Sequence, residues 1–298
     1  VLYTVKHYSV EDNSGKTKLY KVDVKTGVAT HINLNISQPR YMQNGERIGG
    51  VLEDQYVLAD KNLTSASAIA FIKGSNWKAT ELADGRILLL FNQPYKFRSS
   101  TADQYPNLPK ADVRIIEDLN YRNWDVWNDE FVDHVHFAIY SPGKVASVST
   151  DLQGAEAFDA TDFAASADGK YIAYSGKKVR GTAYATSTNT DIYLYTVATG
   201  ETKNVTEGMM GYDRNPAFSP NGQQLAWTSM PQDGNEADVN KLWILDLATG
   251  AKTQTLTEDY VDEFAWVNDF SIGYMVPKMA TQQLGLIDFK LKGKSQER

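Results

Sequence analysis

At 298 residues, with 42% hydrophobic and 22% charged residues, the chain has globular composition and enough apolar material for a sizeable core. A net charge of −7 without a Lys/Arg stripe makes nucleic acid a poor partner, because phosphate contacts dominate that affinity. The absence of cysteine excludes disulfides, thiolate metal sites and a cysteine nucleophile, and no run approaches the roughly 18 apolar residues of a membrane span.

Residues 1–8 read as a strand and lack the charged-then-apolar layout of a signal peptide. A strand at residue 1 suggests that the given residues start inside the fold, which is compatible with a removed export signal. Next, Lys18-Leu19-Tyr20-Lys21-Val22-Asp23-Val24 runs into Thr26-Gly27. Asn44-Gly45 precedes Glu46-Arg47-Ile48, and Asp84-Gly85 precedes the apolar run Arg86-Ile87-Leu88-Leu89-Leu90-Phe91. Residues 92–112, with Pro94, Pro106 and Pro109, are too long for an ordinary hairpin loop. The stretch from Trp124 to His136 reads as a degenerate repeat.

The clearest repeats follow. Phe163-Ala164-Ala165-Ser166-Ala167-Asp168-Gly169-Lys170-Tyr171-Ile172-Ala173-Tyr174 is echoed by Phe218-Ser219-Pro220-Asn221-Gly222-Gln223-Gln224-Leu225-Ala226-Trp227. Each leads to a second shared module, Asp191-Ile192-Tyr193-Leu194-Tyr195 up to Thr199-Gly200, and Lys241-Leu242-Trp243-Ile244-Leu245 up to Thr249-Gly250. Asp-Gly and Asn-Gly supply the positive φ that a tight hairpin turn needs, and the apolar run behind them is a short strand buried on both faces. A final echo, Trp266-Val267-Asn268-Asp269 before Phe270-Ser271-Ile272, closes the series. Turn glycines at 45, 85, 169 and 222 lie 40, 84 and 53 residues apart. With the interval of 84 taken as two units, the spacing predicts an all-β fold. It is a β-propeller of about seven four-stranded blades with S-P-D-G-type repeats, filling 1–298 as a single domain.

These phrases resemble the propeller repeats of periplasmic TolB-like proteins and of prolyl-oligopeptidase-type serine peptidases. The stretch from Lys178 through Asp191-Ile192-Tyr193, and then Asn204-Val205-Thr206-Glu207-Gly208-Met209-Met210-Gly211-Tyr212-Asp213-Arg214-Asn215-Pro216, is similar to bacterial dipeptidyl-peptidase and acylaminoacyl-peptidase-like members. Tyr121-Arg122-Asn123-Trp124-Asp125-Val126-Trp127 is similar to their R-x-W-D-x-W phrase, with Asn123 where His is expected. The likeness is strong over about 113–259. It implies a propeller that gates peptide access to a C-terminal α/β-hydrolase domain and shares in substrate selection. It further implies an exported, periplasmic setting and a homodimer of the full-length protein. The alternatives are a free-standing TolB-like interaction scaffold and a propeller enzyme with a metal in its channel.

No G-x-S-x-G nucleophile elbow occurs in the sequence, so no catalytic residue, metal or cofactor is expected in these residues. His134 and His136 share one strand face near Asp129 and Asp133, but a metal would need further ligands from elsewhere. Asp129-Glu130 and Glu258-Asp259 read as solvated turns, since neighbours along a strand point to opposite faces. Arg122, Trp124, Asp125 and Trp127 admit two readings. Either the tryptophans wedge between blades while Arg122 and Asp125 tie a corner, or the segment faces the hydrolase domain. A dipeptidyl peptidase binds a free α-ammonium, for which carboxylates are natural partners. The Glu-Glu pair that does this in animal relatives has no match here. Glu207 and Asp213, bracketing a compact loop with Tyr212 as an apolar wall, are the local candidates.

Overall fold

The computed structural model describes residues 1–43, 45–111, 113–119, 121–128, 130–255, 260–289 and 295–297, of which Asn123 and 295–297 are described by backbone alone. Asp129, Glu258 and Asp259 lie outside the described residues.

Among the described residues the chain forms six antiparallel meander sheets of three or four strands, with one separate two-stranded hairpin, and the fold is an all-β propeller. The first blade has three strands, Leu2–Ser9, Ser14–Val22 and Ala29–Ile32. The second runs Ser37–Tyr41, Arg47–Leu52, Gln55–Asp60 and Ala66–Ala70. The third comprises Ser75–Glu81, Ile87–Lys96, Phe131–Tyr140 and Thr150–Asp151. The fourth comprises Ala160–Ala165, Tyr171–Gly176, Asp191–Thr196 and Glu201–Asn204. The fifth comprises Tyr212–Phe218, Gln224–Met230, Lys241–Asp246 and Lys252–Gln254. The sixth comprises Glu263–Asn268, Ser271–Lys278, Thr281–Asp288 and Ser295–Glu297.

Six blades replace the expected seven, and the reason is local. The 84-residue interval between Gly85 and Gly169 holds no extra blade. Phe131–Tyr140 is the third strand of the same blade that contains Ile87–Lys96. Between them the chain makes a long excursion whose only strands among the described residues are the two-residue pair Arg122–Asn123 and Val126–Trp127. What reads as a degenerate blade is one blade with an insertion.

Two turns recur because their hydrogen bonding recurs. In blade four, Gly169 N–H donates to Ser166 O (2.9 Å), Tyr171 N–H to Ser166 Oγ (3.0 Å) and Lys170 N–H to Asp168 Oδ1 (3.1 Å). In blade five, Gly222, Gln224 and Gln223 repeat these bonds on Ser219 and Asn221 at 2.8, 3.0 and 3.0 Å. Asn221 can replace Asp because the turn needs only an acceptor oxygen there. The glycines hold φ of 70° and 69°, which a side chain disfavours.

The chain divides into two compact units, Val1–Phe91 with Phe137–Thr150, and Asn92–His136 with Asp151–Arg298. In the first, Trp77 stacks on Phe91 at 4.2 Å within a core that includes Tyr56, Ile69, Ile87 and Leu89. A second cluster there joins Leu19, Ile36, Ile48 and Val57. In the other unit, Ala173, Ile192, Leu225 and Trp227 pack between blades four and five, and Leu242, Val261, Ile272 and Tyr274 between five and six. The second strands of blades four and five, Tyr171–Gly176 and Gln224–Met230, are buried on both faces, as strands sandwiched between neighbouring sheets must be. Each fully buried aliphatic side chain there contributes about 1.5–3 kcal/mol.

Candidate functional site

Strand alternation sorts the connections of the unit spanning 92–136 and 151–289. Links between the first and second strands of a blade, and between its third and fourth, emerge on one face. Links between the second and third strands, and between successive blades, emerge on the other. The repeated S-P-D-G-type and Thr-Gly turns therefore share a face, where Asn221 N–H donates to Asp269 Oδ1 of the next blade (2.8 Å). Among the described residues, the opposite face holds the long, non-repeating stretches 97–130, 152–159, 177–190, 205–211 and 231–240. We call it the loop face.

These loops touch in series. Arg180 stacks over the Phe97 ring at 4.6 Å, and Asp118 Oδ2 lies 2.5 Å from where a Cβ on Gly181 would stand. Asp233 Oδ1 accepts from Ser187 Oγ (2.7 Å) and from the N–H groups of Thr188 (2.7 Å) and Asn189 (3.1 Å). Within 177–190, Lys177 Nζ donates to the carbonyls of Tyr184 (2.7 Å) and Ser187 (2.5 Å). Burial lowers its pKa, against the opposing charges of Asp233 and Glu236.

The 152–159 loop forms the wall of an open depression of about 660 Å³, lined by Ala155, Glu156, Ala157, Phe158, Lys178 and Arg180. Arg180 donates from Nε (3.2 Å) and Nη2 (2.7 Å) to Ala157 O, and Lys178 pairs with Glu156 at 3.2 Å. Beneath the wall, His134 is fully buried, its ring stacked on Tyr95 at 4.3 Å. Its Nδ1 meets Asp151 Oδ2 at 2.8 Å and its Nε2 the carbonyl of Glu156 at 2.7 Å, so Nε2 carries a hydrogen. Gln153 accepts from Val135 N–H and donates to Phe158 O, both at 2.7 Å. Burial raises the pKa of Asp151, but hydrogen bonds from His134 and Gln153 N–H outweigh it and hold the carboxyl below its usual value. Burial pushes the His136 pKa down. His134 is thus a structural brace in an inner strand, bound at both ring nitrogens.

The R-x-W-D-x-W phrase forms the hairpin Arg122–Asn123/Val126–Trp127 on the loop face. Trp124 is 91% exposed and Trp127 38%, so neither wedges between blades. No ion pair joins Arg122 to Asp125 among the described residues; Arg122 lies over the Trp127 ring at 5.4 Å, and Arg114 over the same ring at 5.0 Å. The corner-tying arrangement is absent.

Glu207 is exposed in the 205–211 loop. Tyr212 is half-buried, its Oη accepting from Arg214 Nη1 at 2.8 Å, while Arg214 Nε donates to Asp162 Oδ2 of blade four at 2.7 Å. Asp213 departs from expectation. It is fully buried, as strand alternation between two half-buried neighbours dictates, and no surface ligand reaches it in this arrangement. Both its oxygens and Trp227 Nε1 lack a well-formed hydrogen bond. Burial pushes its carboxyl up to about 7; Ser229, Thr206 and Trp227 flank it and offset this only in part, and nearby Asp191 adds to it.

No family model matches the chain. Over 213 residues it is 42% identical to "Dipeptidyl-peptidase 5" of Porphyromonas gingivalis, the match covering 68% of this chain and 31% of that protein. Over 265 residues it is 34% identical to the Porphyromonas endodontalis protein of the same name, covering 82% and 37%. The chain thus spans roughly a third of the length of the curated relatives it matches. The acylaminoacyl peptidase of Pyrococcus horikoshii superposes on all of this chain with 43% of its own, at TM-score 0.67 and 17% identity. By its matches to the two Porphyromonas proteins, this chain is a propeller of the prolyl-oligopeptidase-type peptidase family. TolB of Acinetobacter baumannii is a weaker likeness, with TM-score 0.54 and 13% identity over 94% of this chain and 59% of its own.

Within this family propeller, the structure brings Arg122, Trp124, Asp125, Glu207 and Tyr212 to one face and takes Asp213 out of it. Sequence reading missed Lys178, Arg180 and the 152–159 wall. Their signal was topological: 177–190 links second and third strands, just as 97–130 does.

Proposed function

We propose that this chain is the substrate-screening propeller of a dipeptidyl-peptidase-like serine peptidase, silent in catalysis by itself, which gates peptides and helps select them with its loop face. The observation that carries the reading is the 42% identity to a dipeptidyl-peptidase 5 over 213 residues. The concentration of non-repeating loops on one face supports it, since binding residues sit disproportionately on loops held by a rigid scaffold. In this reading a hydrolase domain supplies nucleophile, base and oxyanion hole. The sequence has no G-x-S-x-G, and the His134 ring is engaged at both nitrogens. An exported setting and a homodimer of the full-length protein belong to the same reading.

A fluorophosphonate probe should leave the 298-residue chain unlabelled, while the full-length protein labels and releases dipeptides from free N-termini. Stoichiometric labelling of the 298-residue chain would overturn the reading. For the ammonium, Glu207 is the exposed acid of the 205–211 loop. Glu207→Gln in the full-length protein should raise KM for free-N-terminus substrates about tenfold, the scale of one lost charged hydrogen bond. N-acetylated substrates should change far less. Equal effects on both, or none, would remove Glu207 from this role.

A further inference from the structure

From 102 to 128, every residue whose side chain is described is exposed. The stretch is far from polar. Eleven of the twenty-seven exposed large hydrophobic residues among the described ones fall between Tyr105 and Phe131, including Val113, Ile115, Ile116, Leu119, Trp124 and Trp127. Single exposed apolar residues need no explanation, but so many in one segment mark a surface that another body covers. Nor is the segment unstructured. Phe97 N–H donates to Glu130 O (3.0 Å) at its stem, Arg98 Nη2 to Asn128 O (3.2 Å), and Asn128 N–H to Tyr121 O (3.0 Å) at the base of the hairpin. A capping box of Ser100 and Asp103 starts its one helical turn.

The hairpin tip adds a second, independent sign. Trp124 is the first of the two central turn residues and holds φ +54°, a position glycine fills at no steric cost and a bulky residue rarely takes. A strained backbone that presents a largely exposed indole persists where the indole has work to do.

We infer that the 97–130 excursion is a docking strap for the catalytic domain of the same polypeptide, with Trp124 as its anchoring side chain. The inference rests on the proposed function. The relatives, of which this chain covers 31% and 37%, are long enough to hold such a domain. The strap lies on the loop face, in contact with the 177–190 segment through Phe97 and Asp118. A peptide substrate fits the patch less well, because the depression nearby is lined by none of the strap's residues.

The test uses the full-length protein with p-benzoylphenylalanine at position 124, mixed with an isotopically heavy copy and irradiated. The expected product is a crosslink from 124 to the catalytic domain within one polypeptide, unchanged in yield on tenfold dilution. Crosslinks between light and heavy copies, crosslinks to added peptide, or no crosslink would each overturn the strap. In the otherwise native protein, Trp124→Glu should speed amide exchange over 122–127 by about tenfold or more while Tyr171–Gly176 stays as protected as before; unchanged exchange over 122–127 counts against the anchor. Peptidase activity of the same sample separates the two ideas. An active enzyme without the crosslink sinks the strap alone, and a full-length protein without activity sinks the proposed function and the strap with it.

Discussion

Replacing Asp213 by asparagine should make the protein's stability less dependent on pH, and the structure gives the size of the effect. The carboxyl is buried between blades four and five, beside Asp191 and without a well-formed hydrogen bond, which pushes its pKa from 3.8 up to about 7. The folded chain therefore holds this proton more tightly than the unfolded one. Its contribution is intact below about pH 4, declines as pH rises, and is fully lost above about pH 7. At 1.36 kcal/mol per pKa unit, a shift of about three units amounts to roughly 4 kcal/mol at full ionisation. Between pH 5 and pH 8 the wild type should lose roughly 2–3 kcal/mol from this group alone. For a chain of this size that is on the order of 5 °C in Tm. The side chain introduced by Asp213→Asn would carry no such charge, and its amide can donate to the hydroxyls of Thr206 and Ser229 that flank the site. Thermal unfolding of both proteins at pH 5 and pH 8 is the assay. The wild type should show the larger fall in Tm; equal falls would refute a buried carboxyl that titrates near neutrality.

Gly211→Ala places a Cβ 1.6 Å from the carbonyl oxygen of Met230, so it should lower stability by about 3 kcal/mol or more, read by urea unfolding. Arg214→Ala leaves the half-buried Asp162 without its cationic partner and should cost about 1–3 kcal/mol; adding Asp162→Ala should restore part of the loss in a double-mutant cycle. His134→Ala removes the brace between Asp151 and Glu156 O, so amide protection over 152–159 should fall at least tenfold while the Lys241–Asp246 strand keeps its protection.

The blade scaffold was legible because its turns are chemically determined. Asp168-Gly169 and Asn221-Gly222 announce the same hairpin, since each supplies one acceptor oxygen and one residue free to take positive φ. Blade number was misread where that rule is silent. Nothing local in 97–130 says whether an interval of 84 residues holds two blades or one blade with an insertion; that depends on Phe131–Tyr140 pairing back to Ile87–Lys96 across 35 residues. Asp213 was misplaced for a similar reason. Two glycines nearby suggest a solvated loop, yet the residue already belongs to the Tyr212–Phe218 strand, where alternation turns its side chain inward. The pairing of His134 with Asp151 and Glu156 joins residues 17 and 22 apart, with no periodic spacing to betray it.

The two faces of the 92–136 and 151–289 unit answer to different constraints, and under the proposed function this bears on where selection among substrates would reside. A turn that only has to reverse the chain is satisfied by a few hydrogen bonds, so it converges on one solution, and blades four and five repeat it nearly bond for bond. A loop that has to meet something else has no such common solution. Among the described residues of the loop face, 97–130, 152–159, 177–190 and 205–211 share no phrase with one another. Yet each is held by its own device: the paired stem at Phe97 and Glu130, the His134 brace, Lys177 on two carbonyls, and Gly211 against Met230. Rigid support without repetition is the pattern expected of a surface shaped by its partners rather than by the fold. The acidic Glu207, the cationic Lys178 and Arg180, and the apolar Trp124 hairpin stand on that one face. Under the proposed function, a peptide's charged end and the body that closes over it would meet the propeller there.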